Sequence, residues 1–171
     1  MLKGKSITLR PVRDTDLDQL YTYHTDIDNR GDFFPRGILS QPAFHKQFQE
    51  TGFWSKDDGM LVMVSPSNEI LGHIEFFKTV NYLDEYELSY QVYAPEQRGK
   101  GVTTEAVDLL VRYLFEAKRV NRIRLVIHPD NMAHAGLQRN AASDTKAQHV
   151  ERGITRVRTG MLRFTPFCMR M

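Results

Sequence analysis

The sequence predicts a mixed α/β domain built around a central, mostly antiparallel sheet. Two strand-like apolar segments, 60–64 and 70–77, are separated only by the turn residues Pro66-Ser67-Asn68-Glu69, which indicates an antiparallel hairpin. Further along, an amphipathic segment at 102–117 separates two more strand-like segments, and a helix of that length typically joins parallel strands. We therefore expect one parallel strand pair in an otherwise antiparallel sheet.

The predicted elements follow in the order strand, two helices, three strands, helix, strand. A first strand is predicted at 6–12, where apolar and polar residues alternate. Asp14 or Thr15 is expected to cap a helix that runs to about His24, and Ser40 to cap a second helix. That second helix is expected to bury Phe44, Phe48 and Phe53. The later strands are predicted at 60–64, 70–77, 86–92 and 121–127, with a helix over 102–117.

Length and composition fit one globular domain. The chain has 171 residues, 41% hydrophobic and 26% charged, and contains no apolar run long enough to span a bilayer or to serve as a signal peptide. We expect a cytoplasmic protein that does not associate with membranes. Cys168 is the single cysteine, so an internal disulfide and a cysteine-ligated zinc are excluded, and we expect no metal.

The net charge of +2 does not by itself predict nucleic-acid binding. The region after Arg139 is rich in arginine and poor in acids, which leaves RNA binding through a basic tail as an alternative.

A glycine-rich turn between a strand and a helix predicts an anion-binding site. Its residues are Gln97, Arg98, Gly99, Lys100, Gly101, Val102 and Thr103. Unpaired amides and the positive end of the helix dipole attract phosphate at such a position, and glycines let it approach the backbone. Two nucleotide-binding motifs fit poorly. A P-loop requires Lys and then Ser or Thr after its second glycine, where Val102 stands, and a dinucleotide fold requires three glycines early in the chain.

Residues 1–133 resemble the GNAT acyltransferases of the RimJ/RimL type. The resemblance rests on Leu9-Arg10-Pro11 before an acidic helix start, on Pro95-Glu96 before the glycine turn, on Glu105-Ala106 after it, and on Asn131. It implies a GNAT fold in which two parallel strands diverge to admit the pantetheine arm of acetyl-CoA, the co-substrate. The family pattern Arg-x-x-Gly-x-Gly/Ala falls on Arg98, Gly101 and Thr103, where Thr103 departs from the usual small residue. Val92 matches the position whose backbone pairs with pantetheine, and Asn131 one that contacts the CoA arm.

The resemblance also implies direct transfer of the acetyl group to a primary amine. The amine attacks the thioester carbonyl, backbone amides stabilise the oxyanion, and a general base removes a proton. Glu87 and Glu75, on neighbouring predicted strands, are the candidate bases. We expect His73 to be structural, and Tyr90 and Tyr93 to belong to the core and the cleft wall. The acceptor is a protein N-terminus, a polyamine or another small amine, and the resemblance leaves a homodimer open.

The resemblance ends at Ala133, so we divide the chain into an acetyltransferase domain, 1–133, and an atypical tail, 134–171. The tail lacks the Cys-Gly-Phe element and the two final strands that the family pattern would place there. Codons compatible with the tail permit those elements in a shifted reading frame. We therefore hypothesise that loss of a single base near the Ala133 codon replaced the family's ending with an out-of-frame tail.

Two functions of different classes follow. The first is an acetyl-CoA-dependent N-acetyltransferase. The second is a non-catalytic CoA-binding or partner-binding domain, including a degenerate family member without activity. Binding of acetyl-CoA without turnover would favour the second.

Overall fold

The computed structural model of the chain describes residues 1–30, 37–80 and 82–125. These residues form a six-stranded sheet whose spatial order is the order of the strands in the chain. All neighbouring strands are antiparallel except the last two, which are parallel, as the sequence predicts. The strands are β1 (Leu2–Lys3), β2 (Thr8–Pro11), β3 (Asp58–Val64), β4 (Ile70–Phe77), β5 (Glu85–Val92) and β6 (Arg122–Leu125).

In the part of the chain that the structure describes, four α-helices accompany the sheet: α1 (Leu17–Thr25), α2 (Ile27–Arg30), α3 (Gln41–Thr51) and α4 (Val102–Ala117). The sequence predicts α4 with the bounds observed and α1 and α3 to within a few residues, but it misses the short α2. Single turns of 3-10 helix precede α1 at Asp14–Asp16 and follow β5 at Pro95–Gln97. No helix in the described ranges is long and apolar enough to cross a membrane.

The sheet separates two hydrophobic clusters. One lies between the sheet and α4, whose buried side chains recur every three or four positions and so form one helical face (Val102, Ala106, Val107, Leu110, Val111, Leu114, Phe115). Tyr86, Leu88, Tyr90 and Val92 of β5 pack against it. The other cluster lies between the sheet, α1 and α3 and includes Leu20, Phe44 and Tyr93. Successive side chains along β5 therefore point to opposite faces of the sheet, one face toward α4 and the other toward α1 and α3.

The predicted cap of the first helix is wrong. Neither Asp14 nor Thr15 caps α1; instead the Asp16 carboxylate accepts a hydrogen bond from the Arg13 amide at 2.8 Å. The same carboxylate forms a two-point ion pair with Arg10 of β2, at 2.6 and 2.9 Å. Arg10 is only 1% exposed, so its charge has to be met inside the fold. This ion pair gives a structural reason for the arginine and the acidic helix start that carry part of the family resemblance.

The parallel pairing of β5 with β6 runs in register from Glu85 opposite Arg122 to Leu88 opposite Leu125. The predicted divergence of these strands would occur beyond Leu125. That divergence, Asn131 and the tail 134–171 all lie outside the described residues.

Candidate cofactor and acceptor site

The turn between β5 and α4 has the backbone conformation that its glycines permit. Gly99 and Gly101 have φ angles of +76° and +83°, in the left-handed region where a β-carbon is unfavourable. A β-carbon built on either glycine would have no atom within 4 Å, so the space in front of the turn is open. The turn therefore exposes its backbone to an incoming ligand.

The amides at the start of α4 are available to an anion. Gly101 is the N-cap and has no side chain to cap the helix. Among residues of the described ranges, none accepts a hydrogen bond from the amides of Val102, Thr103 or Thr104. The first amide of α4 with a partner is that of Glu105, which donates to the Gly101 carbonyl at 3.0 Å. Three amides and the positive end of a 16-residue helix thus lie beside the exposed Lys100.

The acidic residue in the first turn of α4 is bound elsewhere. The Glu105 carboxylate accepts hydrogen bonds from the Lys5 amide and from the amide and hydroxyl of Ser6, in the loop between β1 and β2. It therefore holds the start of the helix against the β1–β2 hairpin. An exposed lysine and free amides are left to face the solvent above the glycines.

Arg98 turns toward the end of β5. Its Nη2 donates to the Asn29 carbonyl at 2.8 Å and to Asn29 Oδ1 at 3.0 Å. The same guanidinium donates to the Val92 carbonyl at 3.3 Å. Asn29 Nδ2 in turn donates to the Tyr93 carbonyl at 2.7 Å. Arg98 and Val92, both predicted to bind the cofactor, thus lie together and are tied to α2 through Asn29.

Asn29 was not predicted from the sequence. Nothing in the polar segment around it distinguishes one side chain from another, and only the fold brings α2 to the end of β5. Gly72 of β4 is also part of this region. A β-carbon there would collide with the Gln91 carbonyl, so glycine is required for the close approach of β4 and β5.

The two candidate bases lie on the sheet face that α1 and α3 cover. Glu75 of β4 pairs with Ser89 of β5, and Glu87 is two residues from Ser89, so all three side chains share that face. The structure thus brings Glu75 and Glu87 together as diagonal neighbours on adjacent strands.

Glu75 has the properties of a base that works near neutral pH. Its side chain is 23% exposed, and burial, with a smaller contribution from the negative charge of Asp58, raises its pKa to about 7. Arg30 opposes that shift. His73 Nε2 lies 3.7 Å from Glu75 Oε1, but burial lowers the pKa of His73 to about 3. The imidazole is therefore neutral near pH 7, and the contact is not an ion pair.

Glu87 is half-buried, and burial raises its pKa above the usual value for glutamate. Its carboxylate forms no hydrogen bond or ion pair with the described residues. Arg124, its partner in the parallel register, instead forms an ion pair with Glu85. Glu87 therefore remains available as a second carboxylate on this face.

His73, Tyr90 and Tyr93 lie in the interior. His73 Nδ1 is 2.6 Å from the Tyr93 hydroxyl, and the Tyr93 ring stacks on Tyr23 at a centroid distance of 4.2 Å. Tyr90 packs in the cluster under α4. These positions agree with the structural roles that the sequence predicts.

The sequence did not predict the buried charge of Arg30. Arg30 at the end of α2 donates to the Gly37 carbonyl at 3.0 Å, and its Nη2 contacts the ring of His24 at 3.0 Å. Burial, with a smaller contribution from this arginine, lowers the pKa of His24 to about 4. Within the described ranges, no group of three His, Cys, Asp or Glu residues is arranged to hold a metal ion.

Comparison with known proteins identifies the class of enzyme. Residues 6–141 match the family model for the acetyltransferase (GNAT) domain. Because that match covers most of the chain, the protein belongs to the GNAT acetyltransferase family. The predicted fold, the acyltransferase class and acetyl-CoA as co-substrate are thereby confirmed.

Three known proteins illustrate what the chain is similar to. It is 25% identical over 130 residues to the uncharacterized N-acetyltransferase YnaD of Bacillus subtilis, covering 75% of this chain and 73% of the relative. A spermidine N-acetyltransferase from Vibrio cholerae, solved with CoA and spermine, is similar in structure with a TM-score of 0.70, 17% identity and coverage of 81% and 80%. RimL, an α-N-protein acetyltransferase of ribosomal L7/L12 solved with coenzyme A, gives a TM-score of 0.66, 16% identity and 80% coverage of both chains. The RimJ/RimL subtype therefore rests on fold similarity alone.

Proposed function

We propose that the protein transfers an acetyl group from acetyl-CoA to a primary amine by direct attack, with Glu75 as the general base. The observation that carries the proposal is the position of Glu75. It is a partly exposed carboxylate with a pKa of about 7 on β4, and β4 pairs with β5, the strand that leads into the glycine turn. A base with a pKa near the working pH combines the correct protonation state with the greatest basicity.

The glycine turn fits the diphosphate of acetyl-CoA. The free amides of Val102, Thr103 and Thr104 supply donors, Lys100 supplies a charge, and Gly99 and Gly101 leave the approach open. Gln97 and Arg98 flank this turn, and the Val92 carbonyl at the end of β5 is the proposed partner of the pantetheine arm. Asn131, which the resemblance places on the CoA arm, completes the proposed set outside the described residues.

The relatives support either a small-molecule amine or a protein N-terminus as the acceptor. One acts on spermidine and another on a protein N-terminus. For this chain we propose the class that they share, a primary amine on a small molecule or at a protein N-terminus. Glu87 and Glu75 together make the proposed acceptor face negative, which suits an amine that arrives protonated.

Thiol release from acetyl-CoA with a panel of small amines and short peptides tests this proposal. Wild-type activity should rise with pH through about 7 as Glu75 ionises, and Glu75→Gln should lower kcat by about 100-fold and abolish that rise. Glu87→Gln is the matched comparison, because it removes the other carboxylate of the same face. If Glu87→Gln removes the pH-dependent rise and Glu75→Gln does not, Glu87 is the base.

Thermal unfolding with and without acetyl-CoA, measured beside thiol release, separates catalysis from binding. Stabilisation by acetyl-CoA without turnover of any amine would favour a non-catalytic CoA-binding domain. Absence of acetyl-CoA binding would contradict both functions.

A further inference from the structure

Gln91 is a buried amide that has no hydrogen-bond partner among the described residues. It lies on β5 opposite His73 of β4, and its side chain therefore shares the sheet face of Glu75 and Ser89. The residue is only 6% exposed. Neither Oε1 nor Nε2 of its carboxamide is hydrogen-bonded to any of the described residues.

Burial of an unpaired carboxamide is unfavourable, because both its donor and its acceptor lose their hydrogen bonds to water. An apolar side chain of the same length would fill the position without that penalty. Within the described ranges, the polar neighbours of Gln91 on its own face include His73 directly opposite, Ser89 two residues back and Glu75 diagonally across on β4. The unpaired amide thus stands next to the carboxylate that we propose as the base.

We infer that Gln91 determines acceptor specificity by binding an amide group adjacent to the reacting amine. This inference rests on the proposed transfer of an acetyl group to an amine at Glu75. A carboxamide presents one acceptor and two N–H donors in a plane, and a second primary carboxamide presents the matching set, because one of its N–H bonds lies on the same side as its C=O. One amide of the acceptor can therefore accept from Nε2 and donate to Oε1 at the same time.

A purely aliphatic amine cannot make this pair of contacts. A protonated polyamine carries donors only, so it can bind Oε1 but leaves Nε2 unpaired in a buried site. A site built to hydrogen-bond a substrate group discriminates against analogues that lack the group, because its own polar atoms then remain unpaired. The acceptor that Gln91 selects is therefore an amine with a primary carboxamide on the neighbouring carbon.

Two acceptors of nearly equal shape test the inference. Glycinamide carries the amide, and isobutylamine replaces that amide with two methyl groups. We expect Gln91→Met to lower kcat/KM for glycinamide by about 10-fold and to change kcat/KM for isobutylamine by less than about 2-fold. The comparison of each variant with wild type cancels the different basicities of the two amines.

Controls exclude a folding effect. Gln91→Met replaces an unpaired buried amide with an apolar side chain of similar length, so its melting temperature should equal or exceed that of wild type. Gln49→Met makes the same exchange at an exposed position of α3 and should leave both reactions unchanged.

Calorimetric titration of glycinamide and isobutylamine into the protein saturated with CoA gives a readout that needs no turnover. Binding of glycinamide that weakens in Gln91→Met supports the inference even if no acetyl transfer occurs, a result that would count against the proposed function alone. Acetylation in which kcat/KM for glycinamide divided by kcat/KM for isobutylamine is the same in wild type and in Gln91→Met would overturn the inference. The proposed function would then remain intact. Failure of glycinamide to bind the wild-type protein would also overturn the inference.

Discussion

At the scale of single residues, the environment of Glu75 sets both its pKa and its contribution to the stability of the fold. Burial, with Asp58 as the lesser cause, raises its pKa from 4.5 to about 7, so the folded protein holds a proton that the unfolded chain releases at lower pH. Stability from this group is complete below about pH 4.5 and is lost as the pH rises through about 7. The ionisation that prepares the base therefore weakens the fold.

Glu75→Gln should separate these two effects. The free energy of unfolding of wild type relative to the variant should fall by about 1–3 kcal/mol between pH 4.5 and pH 7.5. Urea denaturation of both proteins across this range measures the difference. A difference that stays constant with pH would show that Glu75 keeps an ordinary pKa and is not poised as a base.

At the scale of elements, the ion pair of Arg10 and Asp16 joins the first long strand to the start of α1. Both groups are buried, and the carboxylate is bound by the guanidinium and by a backbone amide together. Such a pair contributes little compared with an apolar replacement of both residues, but removing one partner leaves a buried charge.

Asp16→Asn should therefore destabilise the protein by about 3–5 kcal/mol, because Arg10 would keep its charge without a counter-ion. Asp14→Asn, an exposed position two residues earlier, should change the stability by less than about 0.5 kcal/mol. Denaturant midpoints of the two variants provide the measurement. Equal midpoints would mean that the ion pair has no structural role.

The glycine turn gives a second prediction at this scale. Gly101→Ala places a β-carbon in a left-handed residue in front of the free amides, so the dissociation constant for acetyl-CoA should rise by at least about 10-fold. Gly52→Ala is the control, because Gly52 has a φ of +66° and open space but lies at the end of α3. If both variants weaken acetyl-CoA binding equally, the effect is backbone strain and not loss of the binding turn.

At the scale of the whole molecule, local sequence patterns predicted the helices, strands and turn, but they did not predict contacts between residues that only the fold brings together. Periodicity located α4 because it buries one helical face, the turn residues between two apolar segments located β4, and two glycines located the turn because its φ angles require them. The cap of α1 was wrong because Asp16 is recruited by Arg10 on another strand. Asn29 and Gln91 were missed for a related reason: their importance comes from what the sheet places beside them.

The hypothesis that the tail after Ala133 is out of frame concerns the largest part of the chain that remains untested. The family match ends at residue 141, so residues 142–171 lie outside it. The coding sequence should contain, one frame away from residues 133–153, codons for the Cys-Gly-Phe element that the family pattern predicts. Sequencing the gene decides this, and codons for any other string would refute the hypothesis.

A chain with the frame restored offers a physical test of the same hypothesis. Closing strands would cover sheet edge and apolar surface, so the restored chain should melt at a higher temperature and aggregate less than the chain with the present tail. Thermal unfolding and light scattering compare the two. A restored chain that is no more stable would show that the tail already completes the fold.

The contacts of Arg98 have a consequence for how the two substrates influence one another. Its guanidinium donates to Asn29 of α2 and to the Val92 carbonyl at the end of β5, where we propose that the pantetheine arm binds. A carbonyl oxygen can accept two hydrogen bonds, so a ligand that binds the Val92 carbonyl either shares that oxygen with Arg98 or displaces Arg98. Displacement would release Asn29 of α2, and a second ligand that fixes α2 would then change the affinity of the first ligand by the same factor by which the first changes its own. The affinity of one substrate can therefore depend on the presence of the other even if the two never touch.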